Sequence, residues 1–395
     1  MNHLEIKISN LADQVAYLKS SNIYLYYREL SSAQDTEMMD EGRRILMFGS
    51  NSYLGLTNHP KVKAAAIKAI EKYGTGVSGS RLLNGNLTIH RQLEERLAEF
   101  VGKEDAVVLS TGFQANLAAI PPVIDRSGYL LLDKLSHASI LESARLSQAR
   151  VLKFEHDDAH SLESKLRHCD PAAMKLVVTE GVFSMDGDIP DLPVLTNLAQ
   201  QYQALVMVDD AHALGVLGKN GAGSASHFGL TDQVDIITGT FSKTLASLGG
   251  FVAANKDIIN LIKHTSKAQM FSAGLQPASV ASVMAALDIL EEQPELIEQL
   301  WSNTYYALNV LKEMGFDTGK AETPIIPIYI RDDFKTYVLV RRLYDDGIFV
   351  NPVVSPATSA DSSLIRFSLM ATHTHAQIDE ALNTLRLHAK DLEII

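Results

Sequence analysis

A chain of 395 residues, 46% hydrophobic and 21% charged, has the composition of a globular protein with a large core. A net charge of −12, from 35 basic and 47 acidic residues without a basic cluster, argues against nucleic acid as a partner. The single cysteine, Cys169, excludes an internal disulfide and a cysteine-built metal site, and the longest apolar stretches, such as SVMAALDIL, are too short for a transmembrane segment.

The opening MNHLEIKISN lacks the basic-then-apolar order of a secretory leader, so the expected setting is cytoplasmic, with peripheral membrane contact left open. Residues 3–20 read instead as a short amphipathic helix. RRILMFGSNSYLGL (43–56) reads as a strand and a turn, and 59–74 as a helix with Pro near its start and Gly at its end. A further helix is predicted over 88–102. From there the apolar runs DAVVLS, YLLLD, RVLKF, KLVVTE, ALVMVDD, VDIITGT and GFVAAN alternate with helical stretches. Short aliphatic runs of this kind suit strands buried on both faces, in a mostly parallel sheet covered by helices. Helices follow at 276–291 and 295–315. The runs TPIIPIYIR, GIFVN and SLIRFSLM read as strands, and a final helix falls near 375–389. The expected division is an N-terminal segment (1–50), a large α/β domain (51–285) and a smaller C-terminal α+β domain (286–395).

In an open parallel sheet, ligands bind beyond the carboxyl ends of the strands. The polar residues there are Thr111-Gly112-Phe113, His137, Glu180 to Ser184, Asp209 to His212 and Thr240 to Lys243. Three stretches imitate other sites. GTGVSG (74–79) has the spacing of a dinucleotide loop, but it follows a helix instead of leaving a strand. LVMVDDAH (205–212) resembles an ATPase acidic motif, yet the chain has no G-x-x-x-x-G-K-[ST] phosphate loop. HDDAH (156–160) runs into a polar helix, and its acids suit helix capping.

Asp209, His212, Thr240, Ser242, Lys243 and His137 remain, all at predicted strand ends. A buried Asp at a strand tip calls for a cation, and a protonated pyridine nitrogen would serve. Lys243 can form a Schiff base with an aldehyde. Thr240, Ser242 and the amides of STGFQ can hold a phosphate at a helix N-terminus. A cofactor with a pyridine nitrogen, an aldehyde and a phosphate is pyridoxal 5′-phosphate.

VDDAHALGVLG followed by GTFSK resembles the α-oxoamine synthase family, pyridoxal-phosphate enzymes that join an amino acid to an acyl-CoA with loss of carbon dioxide. FGSNSYLGL, STGFQANLAAI, HASILESARL, EGVFSMDGD and IRFSLMATHT match that family in the same order, so the resemblance covers essentially the whole chain. It implies an α/β fold of fold-type I, aspartate aminotransferase-like, with a mostly parallel sheet in the large domain. It also implies roles. Lys243 binds the cofactor and removes the Cα proton, Asp209 pairs with the pyridinium, His212 bonds the ring oxygen and His137 stacks on the ring. Thr240, Ser242 and the amides of Gly112 and Phe113 hold the phosphate, Ser272 reaches the phosphate of a neighbouring subunit, and Ser184 lies near the ring. Arg366 binds the substrate carboxylate, for which a planar fork suits better than a lysine. Asn51, Arg81 and the loop 74–85 line the substrate and CoA entrance. The resemblance implies no metal, and it implies a homodimer with active sites at the subunit interface. Within the family the chain is most similar, particularly through LMFGSNSYLGL, GTFSKTLASLGGF and FVNPVVSP, to members for which the resemblance implies L-serine and palmitoyl-CoA as substrates, giving 3-oxosphinganine, CoA and CO2, the first step of sphingolipid synthesis. The alternatives are glycine with acetyl-CoA and alanine with pimeloyl-CoA.

Overall fold

The computed structural model describes residues 2–395. Near the N-terminus β1 (Glu37–Asp40) and β2 (Arg43–Met47) pair antiparallel. All seven apolar runs of the α/β block then become strands: β3 (Asp105–Leu109), β4 (Tyr129–Asp133), β5 (Arg150–Phe154), β6 (Lys175–Glu180), β7 (Leu205–Asp209), β8 (Ile236–Thr240) and β9 (Gly250–Ala254). They form one sheet in the order β3-β9-β8-β7-β6-β4-β5. The expectation of burial on both faces fails for β5, an edge strand that leaves Val151 40% exposed, whereas the aliphatic side chains of the inner strands alternate between two buried layers. Leu130, Leu132, Val178 and Met207 face one, and Leu131, Val177, Val206 and Val208 face the other.

β9 is the one antiparallel member of this sheet. Only residues 241–249 join it to β8, and a parallel return needs a crossover of about a dozen residues or more. The reversal brings Gly250 beside both Leu109 and Thr240. The carboxyl ends of β3, β4, β6, β7 and β8, and the start of β9, therefore share one edge of the sheet.

The C-terminal part holds β10 (Ile325–Tyr329), β11 (Ile348–Phe349), β12 (Asn351–Val353) and β13 (Leu364–Ser368). The run GIFVN is divided. β12 joins the sheet β10-β13-β12, whereas β11 pairs in parallel with β2 in the sheet β1-β2-β11. The N-terminal strands are thus woven into the C-terminal region. Phe48 stacks on Phe367 at 4.4 Å and on His373 at 4.2 Å, and this packing delivers the following residues, Asn51 and Tyr53, towards β13. The predicted first helix is present as His3–Ser20, closed by an Asn2/Glu5 capping box. Its apolar side chains Leu4 and Leu11 stay 65% and 62% exposed.

HDDAH behaves as a structural element, with one addition. Asp158 caps the helix Ala159–Arg167 by accepting from Ser161 N at 2.9 Å. His156 lies between two carboxylates, 3.0 Å from Asp133 and 2.8 Å from Asp188. Burial opposes its charge, but the two acids outweigh burial and hold its pKa up to about 10. A raised folded-state pKa stabilises fully below the unfolded value of 6.5, and that contribution is lost as pH rises through about 10. His156→Gln is expected to destabilise by about 3 kcal/mol near pH 6, as for other broken buried pairs, with the gap to wild type shrinking towards pH 10. Urea unfolding at several pH values measures it, and a pH-independent gap contradicts the ion-pair account.

Candidate active site

A cavity of about 320 Å³ opens at the shared edge of the central sheet. Gly112, Phe113, His137, Asp209, His212, Thr240, Ser242 and Lys243 all line it, as do Asn116, Ser139 and Glu180. Asp209 ends β7, is 6% exposed, and has no ion pair among the described residues. Its Oδ2 accepts from Asn116 Nδ2 at 2.7 Å and its Oδ1 from the Ala211 amide at 3.0 Å. Asn116 is itself oriented, because its Oδ1 accepts from the Thr238 hydroxyl at 2.9 Å. The neighbouring Asp210 is spent elsewhere, accepting from the Ser224 hydroxyl at 2.6 Å and from the Ser224 amide at 3.1 Å. Of the two acids in the motif, only Asp209 lines the cavity.

Lys243 follows the tip of β8. Burial brings its amine down to about 8, against Asp209 and Glu180, which favour the charged form, while Arg366 acts in the same sense as burial. Close backbone packing accounts for the glycines after it. Gly249 has φ +136°, and a Cβ there would sit 2.5 Å from the Phe241 ring.

The helix Gly112–Val123 starts at the cavity, with Thr111 capping it by accepting from Gln114 N at 3.0 Å. By position, the first-turn amides of Gly112 and Phe113 have no intrahelical acceptor. They sit near the Thr240 and Ser242 hydroxyls, which are 2.9 Å apart. A Cβ on Gly112 would lie 2.6 Å from Thr240 Cβ, so backbone approaches this spot as closely as it can. Amides at a helix start plus two hydroxyls make an anion cradle.

His137 caps the helix Ala138–Ser147, and its Nδ1 lies 2.8 Å from Ser139 Oγ. Its amide donates to Glu180, which is paired in register with Asp209 on the adjacent strand. Burial, helped by Asp209, pushes the Glu180 carboxyl up to about 8. Burial also holds His212 well below its ordinary value, reinforced by Lys243, Arg366 and His137, so its ring is neutral at pH 7.

Arg366, on β13, is spread across several acceptors. Nε donates to the Ser184 carbonyl at 2.7 Å, and Nη1 to Asn51 Oδ1 and Ser368 Oγ, both at 2.9 Å. Ser184 thus contributes its main chain here, and it lines an adjoining hollow of about 660 Å³ together with His137, Leu135 and Met185. Ser272 Oγ accepts from Gln114 Nε2 at 2.7 Å in its own chain. Arg81 does not line the Lys243 cavity. The buried Glu94 carboxylate draws its guanidinium away at 2.8 Å, and its Nε donates to Asn86 at 2.8 Å.

Sequence reasoning singled out neither Asn116 nor Tyr53 as a site residue. An asparagine in the otherwise apolar helix NLAAIPPV was a usable signal, since a buried amide needs polar partners. Tyr53 carried no such signal, because its partners lie far along the chain.

A sheet edge carrying a buried acid, a near-neutral lysine and an anion cradle defines a class, and the chain belongs to the aminotransferase class I and II family, whose model matches residues 43–385. It is 54% identical over 380 residues to a serine palmitoyltransferase of Sphingobacterium spiritivorum, covering 96% of this chain and 95% of the relative. An 8-amino-7-oxononanoate synthase of Thermoanaerobacter pseudethanolicus is 40% identical over 386 residues, covering 98% of each. A solved high-resolution structure of SPT with PLP superposes with a TM-score of 0.95 at 34% identity, covering 100% of both chains.

Proposed function

We propose that this chain is a pyridoxal-phosphate-dependent acyltransferase that condenses L-serine with palmitoyl-CoA, releasing CoA and CO2 and forming 3-oxosphinganine. The observation that carries the reading is the union of the Asp209–Lys243 cavity with the Arg366 fork in a chain 54% identical to a serine palmitoyltransferase. The cavity suits the cofactor on chemical grounds. A buried carboxylate without an ion pair fits a pyridinium, and the cradle at Gly112 fits a phosphate.

When bound, the cofactor supplies an aldehyde for amine chemistry and a ring that accepts electron density from Cα. Asp209 keeps a proton on the ring nitrogen. Thr240, Ser242 and the amides of Gly112 and Phe113 would hold the phosphate, and His137 would pack against the ring. Arg366 takes the serine carboxylate, with Asn51 steadying the guanidinium. Lys243 Nζ, drawn down to about 8, exchanges the Cα proton without first shedding a tightly held one.

Gly112→Ala tests the cradle. The added methyl forces the helix start away from Thr240, and cofactor retention through dialysis is expected to weaken about tenfold, on the scale of one or two lost charge-assisted hydrogen bonds. Retention equal to wild type would remove this spot from phosphate binding. The substrate reading is tested by CoA release from serine, alanine and glycine against palmitoyl-, pimeloyl- and acetyl-CoA. Serine with palmitoyl-CoA is expected to exceed the others by at least about tenfold in kcat/KM, roughly 1.4 kcal/mol, since a site built around a hydroxyl rejects substrates lacking it. If glycine with acetyl-CoA proves fastest, the chain is a 2-amino-3-oxobutyrate ligase with the same lysine, aspartate and arginine roles.

The reading includes a cytoplasmic homodimer. Among the described residues no helix is long and apolar enough to cross a membrane. The loop 74–85 and the segment after Met270 meet through the bridge Ser80–Ala273, and together they expose Leu83 at 77% and Phe271 at 81%. Apolar side chains this exposed on adjoining segments suit a subunit interface. Sedimentation is expected to give a dimer that Phe271→Asp weakens, and an active monomer at all concentrations contradicts it.

A further inference from the structure

The hydroxyl of Tyr53 touches both halves of the site. Tyr53 is fully buried, with Oη 2.6 Å from His212 Nδ1, 3.4 Å from Arg366 Nη2 and 3.5 Å from Asn51 Oδ1. The contact distances favour one set of hydrogen-bonding roles. A guanidinium only donates, so Arg366 Nη2 can approach Oη only as a donor. The single Tyr53 proton then has two acceptors within reach, and the 2.6 Å contact to Nδ1 is far better than the one at 3.5 Å. A neutral imidazole that accepts at Nδ1 must carry its proton on Nε2. That nitrogen has no hydrogen bond to protein among the described residues, and His212 lines the Lys243 cavity.

We propose that Tyr53 is a positioning residue that fixes His212 as its Nε2–H tautomer and ties that donor to Arg366 through one hydroxyl. The cavity is thereby presented with an N–H that can meet a ring oxygen, where the opposite tautomer would present a lone pair. Arg366 reaches Asn51 and Tyr53 with the same guanidinium, so a carboxylate arriving at Arg366 acts on the group that orients His212. The carboxylate part of this inference rests on the function proposed above, whereas the tautomer does not.

The test separates the two. Apo-protein labelled with ¹⁵N-histidine reports which ring nitrogen of His212 is protonated, with its signals assigned by their loss in His212→Asn. Wild type is expected to show a protonated Nε2 and a bare Nδ1. Tyr53→Phe keeps the ring but removes the hydroxyl, and the two shifts should move towards the averaged values of mixed tautomers. Asn51→Ala removes a different Arg366 partner and should leave the tautomer unchanged. In the holoenzyme, both variants should raise the serine KM about tenfold, the scale of a lost hydrogen bond to a charged group. Only Tyr53→Phe should also lower kcat, by a further factor of about ten. A protonated Nδ1 in wild type, which needs no variant to observe, overturns the proposal, and so does an unchanged tautomer in Tyr53→Phe. A correct tautomer with an unaltered serine KM would retire the link to Arg366 and leave the reading of His212 standing.

Discussion

Lys243→Ala is expected to lower turnover by at least about 10⁴-fold, the upper range for loss of a positioned base, since the same amine also carries the cofactor. The side chain sits in a cavity with Asp209 and Glu180, and alanine leaves no other amine among the residues lining that cavity. The variant should still retain cofactor through the Gly112 cradle and Asp209, because neither depends on the lysine. Borohydride reduction followed by peptide mapping checks this. The cofactor mass should appear on the Lys243 peptide of the wild type and on no peptide of the variant. Labelling of another lysine, with activity preserved, would move the role elsewhere.

The second large effect is that of Asp209→Asn. The amide is nearly isosteric and can still accept from the Ala211 amide, so melting should shift by only a few degrees. It cannot hold a proton on a pyridine nitrogen, and a fall in kcat of about 10³-fold, near 4 kcal/mol, is expected, as for other lost groups that stabilise developing charge. The lysine offers an independent readout. Asp209 is the leading influence that favours the charged form of Lys243, so its removal should lower the Lys243 pKa further below about 8. In apo-protein, reaction of Lys243 with an amine-selective reagent should then titrate at lower pH in the variant. Near wild-type turnover would take Asp209 out of the role, and an upward shift would contradict the electrostatic account of the lysine.

What the sequence determined on its own was local. All seven aliphatic runs became strands of the central sheet, and six are buried on both faces, as a short run without polar breaks requires; RVLKF, with Arg150 and Lys153, became the mostly exposed edge strand β5. Thr111-Gly112-Phe113, His137, Glu180, Asp209, His212, Thr240, Ser242 and Lys243, at or soon after the ends of five of those runs, line one cavity because parallel strands end together, whereas Asp210 and Ser184 are turned to other partners. Asp158 could be read as a cap from its place before a polar helix. Tertiary structure decided what periodicity does not encode, namely direction and partner. GIFVN reads as one strand, yet its halves were claimed by different sheets, one by β2 and the other by β13. Arg81 pairs with Glu94, a partner on the following helix that its own loop sequence does not name, because a buried carboxylate needs a cation. Asn51 and Tyr53 meet Arg366 across 315 and 313 residues of chain, brought there by the packing of Phe48 between Phe367 and His373 and by backbone hydrogen bonds from Ser368 to Phe48 and from Ala371 to Tyr53. A local pattern specifies which face of an element is buried. What that face meets depends on how the whole chain closes, and the contacts of Arg366 were settled at that level.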